Sequence, residues 1–256
     1  AHNGEINTYN GNVNWMKSHE TRMDDPIFGE YVEDIKPIIQ PGSSDSAALD
    51  AVFEALARTK RALPEVKSLL IPEAWEQSEA MPQAHKDFYT YANGVMEPWD
   101  GPAAICAHGG RWVLAGLDRN GLRPLRYVVT GDGLLLIGSE IGMVKIDEKA
   151  VQEKGALGPG EMIGVNLREG KLYHDQALKD HVADLAPFGD WVKNIKTLDK
   201  IDADLDGVVG SMDRAELRRR QVAAGGSMED LELLLQPMAE GGKEAIGSMG
   251  DDTPVA

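Results

Sequence analysis

At Pro98 the chain changes character from helix to hairpin, and this switch limits the folds open to it. Downstream, residues 102–107 and 112–117 are apolar runs separated by His108, Gly109, Gly110 and Arg111. Residues 126–130 and 134–138 flank Gly131-Asp132-Gly133, and residues 162–167 and 171–174 flank Arg168-Glu169-Gly170. Short apolar runs joined by glycine-containing turns predict three antiparallel hairpins. Upstream the pattern is helical. Leu49, Val52, Phe53 and Leu56 recur at helical spacing behind the capping run Ser43-Ser44-Asp45-Ser46. Further helices are expected from Trp15 toward Pro26, from Ile71-Pro72-Glu73 with proline in the first turn, and over 81–94. On the last of these, Phe88, Tyr89 and Tyr91 read as core and His85 as surface. Helices followed by hairpins predict an α+β fold with antiparallel sheets covered by helices.

The charge balance narrows the partners. Asp and Glu number 42 against 26 Lys and Arg, a net charge of -16, which disfavours a phosphate backbone or an anionic membrane surface. No apolar run approaches the roughly 20 residues that span a bilayer, and there is no basic-then-apolar leader. The single cysteine, Cys106, excludes an internal disulfide and points to a reducing compartment. The chain starts with Ala1 instead of Met, so a fragment lacking its upstream half is expected.

Three places carry chemistry. The first is the polar opening AHNGEINTYNGNVNWM, too polar for a buried strand, in which Asn3-Gly4 is a turn signal. The same pair offers a side-chain amide beside an unobstructed backbone N–H, a two-donor arrangement suited to an oxyanion. The second is Cys106, with His108 on the same face of the strand, a spacing compatible with a nucleophile and its base. The expected reading is a buried, inert cysteine and a turn histidine. The third is Asp202, Asp204, Asp206 and Asp213, at positions one, three, five and twelve of a calcium-loop pattern with Gly207 at six. Aspartate replaces the usual bidentate glutamate at twelve and Gly210 offers no side chain at nine, so no metal is expected and the loop stands as the alternative. Asp45, within the capping run, reads from the residues as a helix cap. From Ile195 the chain turns polar; a helix over 213–224 and a capping-box lead-in at Ser227–Asp230 to a helix over 231–238 follow.

Several motifs, in order along nearly the whole chain, resemble one family. AHNGEIN, SSDSAALD, EPWDGPAAI, LDRNGLRPLRY and SEIGMV are similar to the second half of the class II glutamine amidotransferase domain of the glutamate synthase large subunit. The terminal GSMGDDTPVA resembles the start of that subunit's central domain. The resemblance implies part of the αββα four-layer sandwich of N-terminal-nucleophile hydrolases over 1–180, then a mostly helical or irregular linker and the beginning of the central domain over 181–256. It implies that Asn3 and Gly4 form the oxyanion hole, that Asp45 binds the α-ammonium of glutamine with Ser43 or Ser44 left to cap, and that Arg119 and Arg123 stabilise the fold near the site. The nucleophile of such domains is an N-terminal cysteine, absent here, so the chain alone is expected to be inactive. The implied parent makes glutamate from glutamine and 2-oxoglutarate with FMN and an iron–sulfur cluster, neither in this segment. Its implied partners are the rest of the large subunit and a small reductase subunit, in the cytoplasm or the plastid stroma. The rival readings are another class II amidotransferase, of the asparagine synthetase or phosphoribosyl amidotransferase type, and a calcium-binding module around Asp202–Asp213.

Overall fold

The computed structural model describes residues 2–23, 26–140, 142–196 and 212–242. Two compact units result, 1–195 and 196–256. The first is mixed helix and antiparallel sheet, as the switch at Pro98 predicts. Its helices are α1 (Tyr9–Glu20), α2 (Asp45–Arg58), α3 (Leu63–Leu70), α4 (Gln83–Val95), α5 (Asp175–Ala183) and α6 (Phe188–Val192). Its strands are β1 (His2–Gly4), β2 (Ala103–His108), β3 (Trp112–Leu117), β4 (Arg126–Thr130), β5 (Leu135–Gly138), β6 (Val151–Ala156), β7 (Met162–Asn166) and β8 (Lys171–Tyr173).

All three predicted hairpins form, as β2–β3, β4–β5 and β7–β8. They are distributed between a five-stranded sheet, β1-β2-β3-β7-β8, and a three-stranded one, β5-β4-β6. Strand β6 goes unpredicted because Gln152, Glu153 and Lys154 lack apolar alternation. Alternation along β3 explains the layering. Leu114 faces the helices with Leu63, Met162 and Leu178, whereas Ala115 and Leu117 join Leu125 and Ile163 toward Tyr127, Leu135 and Ile137 of the small sheet.

The helical side holds the largest apolar cluster, where Leu49, Val52, Val66, Leu70, Phe88 and Trp99 are all at most 2% exposed. Two helices differ from expectation. Pro72 and Glu73 start no helix; the helix there is α3, with Pro64 in its first turn, and it ends before Ile71. Helix α1 starts at Tyr9, ahead of Trp15, and its Asn12 is buried because the carboxamide donates to the Pro98 carbonyl at 3.1 Å. His85 is buried, contrary to its surface assignment: its ring bonds Asp180 of α5 at 2.8 Å, a partner no local spacing reveals.

In the second unit, α7 (Arg214–Ala223) is capped by Asp213, which accepts from the amides of Ala215 and Glu216. Ser227 and Asp230 form the expected reciprocal cap, ahead of a π-helical turn (Asp230–Leu235) and α8 (Gln236–Gly241). No helix among the described residues is long and apolar enough to cross a membrane.

A charged group lies inside the first unit. Lys67 of α3 is 2% exposed, its ammonium 3.4 Å from the Gly160 carbonyl. Nearby, Lys179 bridges Glu73 (2.9 Å) and Asp175 (2.7 Å), and Tyr89 donates to Glu73. Burial, reinforced by Lys179, lowers the Lys67 pKa to about 8. Because the folded pKa lies below the unfolded value, the unfolded chain holds the proton more tightly, and stability rises with pH between about 8 and 10.5. The cost at pH 7 is about 3 kcal/mol. Lys67→Met is expected to be more stable than the parent at pH 7, by denaturant unfolding, with the gap closing as pH rises through that window. A gap that stays constant with pH would refute the assignment.

Candidate functional site

Asn3-Gly4 lies in a short strand, against the expectation of a turn. Strand β1 pairs antiparallel with β2, with His2 opposite Ile105, Asn3 opposite Ala104 and Gly4 opposite Ala103. An edge strand needs to bury only one face, and here the His2 ring (1% exposed) and Ile6 (5% exposed) turn inward while Asn3 is exposed. That is why a polar heptapeptide serves.

Successive amides of an extended chain point to opposite sides. Glu5 N–H donates to the Pro102 carbonyl at 3.0 Å, so Gly4 N–H, one residue earlier, is directed to the open edge of the sheet. At Gly4 the partner chain comes so close that a Cβ would sit 1.8 Å from the Pro102 oxygen. Only glycine fits. Asn3 and Gly4 thus offer a carboxamide and an outward N–H from adjacent residues.

Asp45 comes to the same segment from 39 residues away. Its Oδ2 accepts from Ile6 N–H at 2.7 Å and its Oδ1 from Ser46 N–H at 2.7 Å. The Ile6 amide is the main cause that holds this carboxyl below its ordinary value; burial opposes it, and the Ser46 amide and the His2 charge add to it. The cap of α2 is Ser44, which accepts from Ala47 N–H, as expected once Asp45 is assigned elsewhere. Each Asp45 oxygen therefore takes one backbone amide.

A cleft of about 1280 Å³ runs along the helical side, lined by His2, Asp50, Phe53, Tyr91, Cys106 and His108 among others. The His2 imidazole stands 4.0 Å from Asp50, and burial lowers its pKa against the pull of Asp50 and Asp45. Cys106 is exposed, a correction to its expected burial. The reason is the length of β1, which covers β2 only from Ala103 to Ile105 and leaves the second half uncovered. His108 is the exposed last residue of β2. Burial of the thiol group still pushes its pKa up, the opposite of what a nucleophile needs.

Arg119 donates to Asp100 at 2.8 Å, on the stretch that faces β1. Asp118, 1% exposed, accepts from Ala103 and Asn120 amides and ties the Asn120-Gly121 turn to the start of β2. Thr8, Asp100 and Gly101 also surround β1, and no motif in the sequence marks them. Of the calcium pattern, Asp202, Asp204 and Asp206 lie outside the described residues; Asp213 spends one oxygen on capping α7. Among the described residues no three His, Cys, Asp or Glu side chains are grouped to hold a metal ion.

Residues 1–191 match the family model described as Glutamine amidotransferases class-II, and residues 219–256 match that of the Glutamate synthase central domain. The whole chain is 60% identical to the "Glutamate synthase [NADPH] large chain" of Azospirillum brasilense, covering 17% of that protein. It is 45% identical to the "Ferredoxin-dependent glutamate synthase 2, chloroplastic" of Arabidopsis thaliana, covering 16% of it, and 40% identical to the "Glutamate synthase [NADH]" of Schizosaccharomyces pombe, covering 13%. The chain thus spans less than a fifth of the length of these relatives. With a family match across residues 1–191, the stretch that carries Asn3, Gly4 and Asp45, the chain belongs to the class-II glutamine amidotransferases.

Proposed function

We propose that residues 1–191 supply the oxyanion hole and substrate clamp of a glutaminase, as part of a glutamate synthase large subunit that makes glutamate from glutamine and 2-oxoglutarate. The observation that carries this is the junction of Asn3, the outward Gly4 N–H and Asp45 on one short segment. Asp45 holds the α-ammonium of glutamine on its remaining lone pairs. A thiolate attacks the side-chain amide carbon, and its carbonyl oxygen becomes an anion that receives the Asn3 amide and the Gly4 N–H. The C–N bond then breaks, ammonia leaves with a proton from the nucleophile's own amino group, and water hydrolyses the thioester to glutamate.

The nucleophile comes from outside these 256 residues, since Cys106 is the one cysteine and its thiol pKa is raised. The same count bears on the iron–sulfur cluster of the parent. A cluster takes three or four thiolates, and one cysteine does not provide them, so in this reading the cluster belongs to another part of the subunit. The helices on one face of the five-stranded sheet and the small sheet on the other support reading this unit as part of an αββα sandwich. The partners in this reading are the remainder of the large subunit and a small reductase subunit.

In the longest natural chain that carries this sequence, Asn3→Ala is expected to lower the glutaminase kcat by about 10²–10³-fold with KM for glutamine nearly unchanged. Asp45→Asn is expected to raise KM instead, about tenfold or more, because it removes a charge and keeps an acceptor for Ile6 N–H. Steady-state ammonia release reads both; an unaltered kcat in Asn3→Ala sinks the oxyanion assignment. Cys106→Ser is expected to leave kcat and KM within twofold of the parent, and a large loss there would reinstate Cys106 as the nucleophile.

A further inference from the structure

Strand β1 has three residues, too few to hold two catalytic donors in a fixed orientation by ladder bonds alone. A second chain segment completes the hold. Residues 99–102 run alongside Glu5–Thr8, with the Pro102 carbonyl accepting from Glu5 N–H (3.0 Å) and the Asp100 carbonyl from Asn7 N–H (2.7 Å) and Thr8 N–H (3.4 Å). The Asp100 amide in return donates to the Thr8 hydroxyl at 3.0 Å. That hydroxyl donates to Asn12 (2.6 Å), and Asn12 donates to the Pro98 carbonyl, so the loop from Pro98 to Asp100 is stitched to the start of α1. Trp99, 2% exposed, anchors the segment in the core, and Arg119 fixes the Asp100 carboxylate at 2.8 Å.

The contact is reciprocal at two glycines. A Cβ on Gly4 would meet the Pro102 oxygen at 1.8 Å, and a Cβ on Gly101 would meet the Glu5 oxygen at 1.9 Å. Gly101 also has φ +153°, a conformation that side chains disfavour. The two backbones approach so closely that neither can carry a side chain. That approach sets the plane of the Gly4–Glu5 peptide, directly after the donor pair, and the path of residues 5–8 beyond it. Gly101 has no side chain to offer a ligand, and the Thr8 hydroxyl is engaged by Asp100 and Asn12.

We infer that Gly101 and Thr8 are positioning residues for glutaminase chemistry, which hold the Gly4 N–H and the Asn3 carboxamide in the orientation that receives the oxyanion. The inference rests on the oxyanion reading of Asn3 and Gly4. In that reading glutamine is held by Asp45, which α2 carries and Ser46 N–H holds apart from its bond to Ile6, so the loss of positioning falls on the transition state more than on the bound substrate.

The test uses the longest natural chain that carries this sequence. Three variants are compared with Asn3→Ala: Gly101→Ala, Thr8→Val, which removes the hydroxyl that bonds Asp100 and Asn12, and Thr8→Ser, which keeps it. Expected for Gly101→Ala is a fall in kcat of about 10²-fold, with KM for glutamine within threefold. Expected for Thr8→Val is a fall of about tenfold, with Thr8→Ser within twofold of the parent. Binding gives a readout besides turnover. L-glutamate γ-semialdehyde, whose aldehyde forms a tetrahedral adduct with the nucleophile, is expected to lose affinity in parallel with kcat, while L-glutamate binds as in the parent. Should Gly101→Ala not fold, as circular dichroism would show, the Thr8 pair decides. Equal losses in Thr8→Val and Thr8→Ser, a rise in KM at constant kcat, or parallel losses of aldehyde and glutamate affinity would overturn the proposal. If Asn3→Ala itself leaves kcat unchanged, it is the oxyanion reading that fails; if Asn3→Ala is impaired and the Gly101 and Thr8 variants are not, only the positioning role fails.

Discussion

The hydrogen bond from Glu5 N–H to the Pro102 carbonyl, 3.0 Å long, is the constraint on which the site depends. It fixes the side of β1 that faces β2 and hence the side left open to a ligand. Glycine at positions 4 and 101 is what permits the bond, since either Cβ would force the two backbones apart. Asp45 then adds a second tie at Ile6, one residue farther along, from a helix whose own start Ser44 has already capped. The Ser44 hydroxyl caps the helix, which leaves the Asp45 carboxylate to the Ile6 and Ser46 amides.

The three hairpins and the best helix were legible because their signals are local. Leu49, Val52 and Phe53 repeat with the helical period over one continuous stretch, and each hairpin announces itself by a glycine turn between apolar runs. What escaped was set by partners distant in the sequence. His85 looks like surface until Asp180 arrives from α5, and Cys106 looks buried until the shortness of β1 exposes it. Strand β1 is polar because it is an edge, and its pairing with residues a hundred positions later is invisible to any window. Asn3, Gly4 and Asp45 were found through resemblance to a family; residue pattern alone left a turn and a cap as open readings.

Gly101 and Thr8 illustrate a further limit. A glycine after an aspartate and before a proline reads as an ordinary loop, and a threonine before a helix as an ordinary cap. Their significance lies in a close approach between backbones, which carries no periodicity and no charge. Lys67 makes a related point: nothing in its local sequence marks a buried ammonium, yet it is enclosed because every residue of α3 is buried.

The brevity of β1 has a consequence for dynamics. A strand of three residues at a sheet edge contributes few ladder bonds, and its contacts join parts of the chain more than ninety residues apart. Closing so long a loop is entropically costly, and segments held this way open at a free energy below that of global unfolding. Opening of residues 2–8 would leave the cluster around Leu49, Phe88 and Trp99 largely intact. Amide exchange at the chain's start is then set by local fraying, and the site exists only in the closed members of the native ensemble.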